Sequence, residues 1–293
     1  MNINFDIVGK RKIWYLISLI IIIPGMISFL FRGLNLGIDF TGGNLIQIQF
    51  KQDVSSSQIR NVVSKFVEQT PDISESQKNN YIIRTVTISE EKSKELFQTM
   101  TKELGEYSIL RNENVGPVIG HELTMNAFYS LIIASILMVI YISFRFELKF
   151  GIAGVIALLH DVLVLIGIFS LFQIEVDSTF VAAILTIIGY SINDTIVIFD
   201  RIRENKKINS KEDIETLANK SIIQTLTRSI NTVLTTIFSL IALLVFGGAT
   251  TKVFALALLI GIISGCYSSI FNASPLWIDL TKWSDRRNKL AKA

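Results

Sequence analysis

Six long apolar segments dominate this sequence and limit the folds that it can adopt. They cover residues 13–31, 125–144, 151–172, 178–199, 226–246 and 253–271. Each is about 20 residues long, which lets an α-helix cross the ~30 Å hydrocarbon core of a bilayer. Half of all residues are apolar, which is high for a soluble domain. We therefore predict an α-helical polytopic membrane protein with six transmembrane helices.

Basic residues gather on one side of these predicted spans. Arg145 and Lys149 follow the second span, and further lysines and arginines follow the fourth and the sixth. The opposite short loops, residues 173–177 and 247–252, hold a single lysine between them. By the positive-inside rule, both termini are expected in the cytoplasm. The small net charge of +3 and this clustering at segment ends argue against nucleic-acid binding.

The loop between the first two spans is long enough to form a domain. Residues 45–50 and 81–88 alternate between apolar and polar side chains, which predicts two strands. Ser55 and Ser89 are suitable N-caps for a helix after each strand, and a third strand is expected from Tyr107. This order predicts a small α+β domain with its helices on one face of a sheet.

The remaining boundaries follow from the spans. A charged and then amphipathic stretch, residues 206–224, predicts a helix lying in the inner interface of the membrane. The predicted organisation is a cytoplasmic N-terminus (1–12), helix 1 (13–31), an extracytoplasmic domain (32–122), a five-helix transmembrane bundle with the interfacial helix (125–271), and a cytoplasmic tail (272–293).

Asp194 is the ionisable residue that most clearly indicates function. It lies within the fourth span, where a carboxylate costs at least ~2.5 kcal/mol on insertion scales and therefore needs a partner. Its neighbour Asn193 can donate hydrogen bonds but cannot titrate. Arg228 is the best candidate partner, because the fifth span must begin near Leu226 and so carries Arg228 to a similar depth. Two structural alternatives remain. Asp194 could form a hydrogen bond that only holds the helix bundle together, and Arg228 could extend its side chain to the inner membrane interface.

His160 and Asp161 lie near the middle of the third span. An adjacent His and Asp in a membrane helix is a proton-relay composition, and it is equally consistent with a hydrogen-bonded pair that fixes helix contacts. The charges at 200–204 are interpreted as an interfacial ion-pair cluster.

Other kinds of site find little support in the sequence. Cys266 is the single cysteine and lies in an apolar segment, so it is interpreted as a small buried hydrophobe without a disulfide. We expect no cofactor and no metal site. An intramembrane aspartyl protease would need a GxGD-type motif, but Asp194 follows Ser-Ile-Asn. We therefore expect that the protein is not an enzyme.

Six ordered motifs resemble those of the SecF family, the smaller membrane subunits of the bacterial SecD/SecF accessory to protein translocation. They are GIDFTGG at 37–43, VGPVIG at 115–120, FRFELKFG at 144–151, IALLHDV at 156–162, GYSINDTIVIFDRIREN at 189–205 and RSINT at 228–232. The match extends over nearly the whole chain in one order.

The resemblance implies a ferredoxin-like periplasmic domain and kinship with proton-driven exporters of the resistance-nodulation-division type. It implies a location in the bacterial inner membrane, pairing with SecD and association with the SecYEG channel, with YajC and YidC as further partners. Proton flow would drive movement of the outer domains on preproteins after SecA has acted. The proton-linked carboxylate of the family falls on Asp194 and its charged partner on Arg228, while His160 and Asp161 match a further motif.

Two other functions remain open from the residues alone. The chain is alternatively half of a proton-coupled exporter of small molecules or lipids, or a passive membrane scaffold whose buried charges hold helices together.

Overall fold

The computed structural model describes residues 5–145 and 147–290, which form two compact units. The α+β unit is Leu36–Tyr129, and the membrane unit contains the chain before and after it. In chain order the elements are α1 (Arg11–Arg32), β1 (Asn35–Leu36), α2 (Ile38–Thr41), β2 (Gly43–Phe50), α3 (Ser56–Val63), β3 (Asp72–Gln77), β4 (Asn80–Thr85), α4 (Glu90–Leu104), β5 (Tyr107–Val115), α5 (Pro117–Arg145), α6 (Leu148–Phe172), β6 (Glu175–Val176), α7 (Ser178–Ile208), α8 (Ile214–Phe246), α9 (Ala249–Ser268), a π-helical turn (Ser269–Ala273) and α10 (Ser274–Leu290).

The α+β unit is built on an antiparallel sheet with the strand order β3-β4-β2-β5. Ser55 caps α3 with a reciprocal capping box, and Ser89 caps α4, as the sequence predicts. Apolar side chains of β2 and β4 pack with α3 and α4 around the fully buried Leu96 and Met100. The order βαββαβ confirms the expected ferredoxin-like domain.

One strand of this unit is missing from the sequence prediction. Strand β3 pairs with β4 at the edge of the sheet, and Ile73 is its buried apolar side chain. Its other side chains are polar, because an edge strand needs few apolar contacts. The hairpin from β3 to β4 turns at Asn79, whose φ of 61° lies in the left-handed region that asparagine tolerates.

Six helical segments of the described chain are long and apolar enough to cross a membrane, which confirms the predicted number of spans. The sixth, Thr251–Arg287, continues through the π-helical turn. Helices α6, α7 and α9 form the interior of the membrane unit, whereas α5 and α8 keep most of their apolar side chains exposed. At one end of the unit the ring of Phe150 stacks on Trp277, with centroids 4.5 Å apart.

The structure corrects one predicted segment. A separate interfacial helix near 206–224 does not form, because α7 extends to Ile208 and α8 begins at Ile214 and continues unbroken into the fifth span. No proline or glycine interrupts the sequence of α8 to separate its amphipathic start from its apolar remainder. The segment predicted as a cytoplasmic tail, 272–293, is helical as far as Leu290, because the π-helical turn and α10 continue the sixth helix. Its cytoplasmic location stays a prediction.

Two glycines allow α1 and α6 to pack closely. A Cβ atom added to Gly25 would lie 2.5 Å from Cα of Gly167, which is too close for any side chain. Near this contact the hydroxyls of Ser28 and Ser170 are 3.0 Å apart. Small residues at such crossings let helix backbones approach within the membrane.

We predict that Gly25→Ala destabilises the packing of α1 on α6. The new methyl group meets backbone rather than a mobile side chain, so the expected cost is about 1–3 kcal/mol. Thermal unfolding of the full chain in detergent measures this loss. Gly189→Ala is the matched control, because no neighbouring atom lies within 4 Å of its added Cβ. Equal unfolding midpoints for the two variants would contradict the prediction.

The start of α8 depends on Asp213, which lies outside the spans. Its carboxylate accepts hydrogen bonds from the backbone N–H groups of Glu215 at 3.1 Å and Thr216 at 3.2 Å. The backbone bond from Thr216 contributes most to holding the pKa of Asp213 below its usual value. The stabilisation is present above the pKa of the unfolded carboxyl and is lost as the pH falls through the lower folded pKa.

We therefore predict that Asp213→Ala speeds amide hydrogen exchange in the first turn of α8. Acidification through the folded pKa of Asp213 should have the same effect in the wild type and little effect in the variant. Glu212→Ala is the control, because it removes the adjacent carboxylate and keeps the cap. Slow exchange in Asp213→Ala would show that the cap is dispensable.

Candidate functional site: two intramembrane carboxylates

Asp194 lies beside a cavity inside the membrane unit. Ser229 on α8 donates a hydrogen bond of 2.6 Å to its Oδ1. Its Oδ2 is buried and has no hydrogen-bond partner among the described residues. The cavity has a volume of about 150 Å³, which is enough for several water molecules. Asp194 therefore combines a fixed oxygen with an oxygen that is free to gain a proton or a water contact.

The structure brings Arg228 and Asn193 to the same cavity as Asp194. Helices α7 and α8 form a hairpin in which Asp194 lies fourteen residues before the end of α7, and Arg228 fourteen after the start of α8. Both residues are thus about 21 Å along their helices from the connecting loop. Arg228 is exposed and makes no salt bridge with Asp194 in the described structure. Arg228 thus lines the same cavity as Asp194 without an ion pair to its carboxylate.

Asp161 is more deeply buried than Asp194 and is surrounded by donors. Its exposed fraction is 0%. Oδ1 is 2.8 Å from the Ser264 hydroxyl and 3.0 Å from His160 Nδ1. Oδ2 accepts hydrogen bonds from Ser191 at 2.6 Å and Ser268 at 2.8 Å. Asp161 thus joins α6 to α7 and α9.

His160 continues this network toward α1. Its Nε2 is 3.0 Å from Ser18 Oγ, which also accepts a hydrogen bond of 2.9 Å from Asn272. With a proton on Nδ1, the neutral ring donates to Asp161 and accepts from Ser18. His160 can therefore orient the carboxylate, or carry a proton beside it, without contacting the Asp194 cavity.

The π-helical turn places the polar side chains of the sixth helix toward this network. Ser269 donates to the backbone oxygen of Ser191 at 3.3 Å and lies 2.9 Å from the Thr195 hydroxyl. Asn272 reaches Ser18 from the same turn. Single π-turns within α-helices are frequent at functional sites, because they rotate the following side chains relative to a regular helix.

The five predicted site residues thus form two clusters. Asp194, Asn193 and Arg228 share the cavity, while His160 and Asp161 lie in the buried network. The sequence analysis missed the hydroxyls that contact each carboxylate, namely Ser191, Ser229, Ser264 and Ser268. The spacing of Ser264 and Ser268, four residues apart in an apolar helix, was the available signal, because such residues lie on one helix face.

The charged side chains at 200–204 pair with one another, and the described chain shows no metal-binding cluster. Arg201 bonds Glu204 at 2.9 Å, and Arg203 bonds Asp200 at 3.5 Å, which confirms the ion-pair cluster expected at 200–204. Within residues 5–145 and 147–290, no group of three His, Cys, Asp or Glu side chains is arranged to hold a metal ion. Cys266 is partly buried and lines the Asp194 cavity.

Family models match most of the chain. The model described as protein export membrane protein SecD/SecF, C-terminal, covers residues 74–283, and the SecD/SecF GG motif covers residues 27–54. The chain belongs to the SecD/SecF family.

Relatives and solved structures place it within the SecF part of that family. Protein translocase subunit SecF of Sebaldella termitidis is 42% identical over 93% of this chain and 91% of its own. The Thermobaculum terrenum subunit of the same name is 44% identical over 96% and 94%. These matches confirm the resemblance seen in the motifs and establish an accessory subunit of the Sec translocase in the membrane.

Longer relatives carry the same fold. The crystal structure of SecDF, a translocon-associated membrane protein from Thermus thermophilus, matches with a TM-score of 0.88 and 34% identity over 96% of this chain and 39% of that chain. The Bacillus subtilis protein translocase subunit SecDF is 39% identical over 98% of this chain and 39% of its own. This SecF-family chain therefore spans about two fifths of either SecDF chain.

We predict that Asp161→Asn destabilises the membrane unit. The amide presents N–H groups where the carboxylate accepts from two hydroxyls, so the expected loss is about 2–4 kcal/mol. Thermal unfolding of the full chain in detergent, followed by tryptophan fluorescence, measures the loss. Asp285→Asn is the control, because its side chain is 64% exposed at the surface of α10. An unchanged midpoint for Asp161→Asn would show that the buried hydrogen bonds contribute nothing net.

Proposed function

We propose that this SecF-family subunit uses inward proton movement to complete preprotein translocation, with Asp194 as the residue that gains and releases the proton. The observation that carries the proposal is the unpartnered oxygen of Asp194 in a cavity that it shares with Arg228. A carboxylate that only holds helices together would accept hydrogen bonds on both oxygens, as Asp161 does.

The energetics of such a site suit a proton-driven device. Burial favours the neutral carboxyl, while the hydrogen bond from Ser229 and the charge of Arg228 favour the anion. These opposing effects make both forms accessible. A proton that crosses the membrane potential supplies ~2.3 kcal/mol per 100 mV, enough to shift a two-state equilibrium more than tenfold.

The other site residues take supporting roles in this proposal. Arg228 sets the field at the cavity, and Asn193 supplies a hydrogen-bonding amide at its wall. His160 and Asp161 form a second titratable pair in the same bundle. The positive-inside pattern supports cytoplasmic termini, with the α+β unit on the outer side of the inner membrane.

Partner subunits follow from the family and from the exposed helices. The relatives from Bacillus subtilis and Thermus thermophilus are named SecDF, which supports association of this chain with a SecD subunit. In the most apolar stretch of α5 only 6% of the residues are buried, and in that of α8 only 11%, so apolar surface remains for an intramembrane partner. SecYEG, YajC, YidC and the preprotein are proposed partners on the family resemblance alone.

The alternative functions have less support. An exporter of small molecules or lipids is not favoured by relatives named as translocase subunits. A passive scaffold does not require the free oxygen of Asp194. An aspartyl protease requires two carboxylates that share one water, whereas Asp161 is enclosed by four donors away from the cavity.

The proposal predicts that Asp194→Asn abolishes the dependence of preprotein translocation on the proton gradient. The amide keeps the size of the side chain but cannot exchange a proton, so we expect a loss of about 100-fold in the gradient-driven rate. The measurement is translocation into vesicles whose native copy is replaced by the variant. Glu204→Gln is the control, because it removes the same charge from the exposed end of α7. Full gradient dependence in Asp194→Asn would overturn the proposal.

A further inference from the structure

The two carboxylates are connected through one side chain. Ser191 donates its hydroxyl proton to Oδ2 of Asp161 and also lines the cavity of Asp194. Of the four donors to Asp161 that the structure describes, Ser191 is the one that reaches this cavity. Ser268 also donates a hydrogen bond of 3.2 Å to the backbone oxygen of Gly265, which lines the cavity, but a carbonyl oxygen has no proton to pass on.

The spacing on α7 brings Ser191 within reach of Asp194. The two residues are three positions apart on one helix, so their Cβ atoms are about 5–6 Å from each other. One water in the cavity can span that gap with hydrogen bonds to both side chains. Oδ2 of Asp194 has no hydrogen-bond partner among the described residues, and Asp194 lines the cavity that would hold such a water.

Charge balance indicates what the buried network must hold. Asp161 is fully buried, and His160 is the one basic side chain in hydrogen-bond contact with it within the described chain. An uncompensated negative charge enclosed in this interior is costly, so an ionised Asp161 beside a neutral His160 is stabilised when the pair takes up one proton.

We propose that Ser191 is a proton relay that joins the Asp194 cavity to the His160–Asp161 pair, so that this pair stores a proton in series with Asp194. The inference rests on the proposed function, because it takes Asp194 as the site where protons enter. It adds the His160–Asp161 pair as a second place where a proton is stored, and Ser191 as the residue that passes the proton to it.

The relay step balances without any redox change. The carboxylic acid of Asp194 gives its proton to the cavity water and becomes a carboxylate. The water passes one of its own protons to Oγ of Ser191 and stays neutral, while the original hydroxyl proton of Ser191 moves to Oδ2 of Asp161. The O–H bond to Ser191 breaks as a new O–H bond forms on Asp161, and the carboxylate becomes a carboxylic acid. When this proton later leaves, rotation of the Ser191 hydroxyl restores the starting hydrogen bond.

Ser268 provides a matched control for this role. It donates to the same Oδ2 atom at 2.8 Å but does not line the cavity. Loss of either serine removes one hydrogen bond from Asp161, so a merely structural role predicts equal effects. A relay predicts that loss of Ser191 alone slows proton transfer.

The test is time-resolved infrared spectroscopy on the full chain, purified with its partner subunit and reconstituted in liposomes. A photoacid releases protons, and the carbonyl stretch of protonated Asp161 is assigned as the band that Asp161→Asn removes. We expect Ser191→Ala to slow the rise of this band by about 100-fold, the scale of positioned proton transfer. Ser268→Ala should shift the band frequency but keep the rate, and Ser191→Thr should restore the rate.

Two results would overturn the relay: absence of an Asp161 band in the wild type, or equal rates in Ser191→Ala and Ser268→Ala. Should Ser191→Ala fail to fold, Ser191→Val replaces it, because valine has the shape of the rescuing threonine but no exchangeable proton, and a rate equal to the wild type would count against the relay. Equal rates in Ser191→Ala and Ser268→Ala, together with a loss of gradient-dependent translocation in Asp194→Asn, would reject the relay and leave the proposed function intact. A Ser191-dependent band combined with normal translocation in Asp194→Asn would reject the proposed function instead.

Discussion

The buried carboxylate of Asp161 is the constraint on which the packing of the membrane helices depends. A charge enclosed at low dielectric costs several kcal/mol unless donors surround it, so α7 and α9 must lie where their serines reach α6. The hydrogen-bond distance from these serines to Asp161 leaves little space between the helices. A Cβ atom added to Gly265 would lie 3.0 Å from the Ser191 side chain. The glycine at 265 is therefore required by the close approach of α9 to Ser191, a donor to Asp161.

The two intramembrane carboxylates differ in how fully their oxygens are occupied. Asp161 has two donors on each oxygen and holds three helices together, whereas Asp194 has one bonded oxygen and one free oxygen beside a cavity. The donors around Asp161 can keep α6, α7 and α9 together while Asp194 exchanges protons with the cavity. Asp161 thus combines a structural role with the proton storage proposed above.

Residue-level reasoning predicted the spans and the proximity of Arg228 to Asp194 more fully than the contacts around Asp161. Length and apolarity identify a membrane helix, and matched positions along the hairpin bring Arg228 near Asp194. The edge strand β3 was missed because its polar side chains carry no apolar alternation. The donors to Asp161 were missed because a serine in an apolar helix bonds its own backbone equally well. Which of these it does depends on tertiary packing.

The π-helical turn at Ser269–Ala273 has a consequence for how the sixth helix tolerates change. A π-helical turn holds one residue more than an α-helical turn. A deletion in the regular part of the sixth helix before this turn would rotate Trp277 by about 100° away from its stack on Phe150, whereas the π-helical turn can give up its extra residue and keep that stack. Such a deletion would still displace the side chains of the turn itself, and with them the contact of Asn272 with Ser18. The π-helical turn is thus the place where the sixth helix can change in length without losing the packing that follows it.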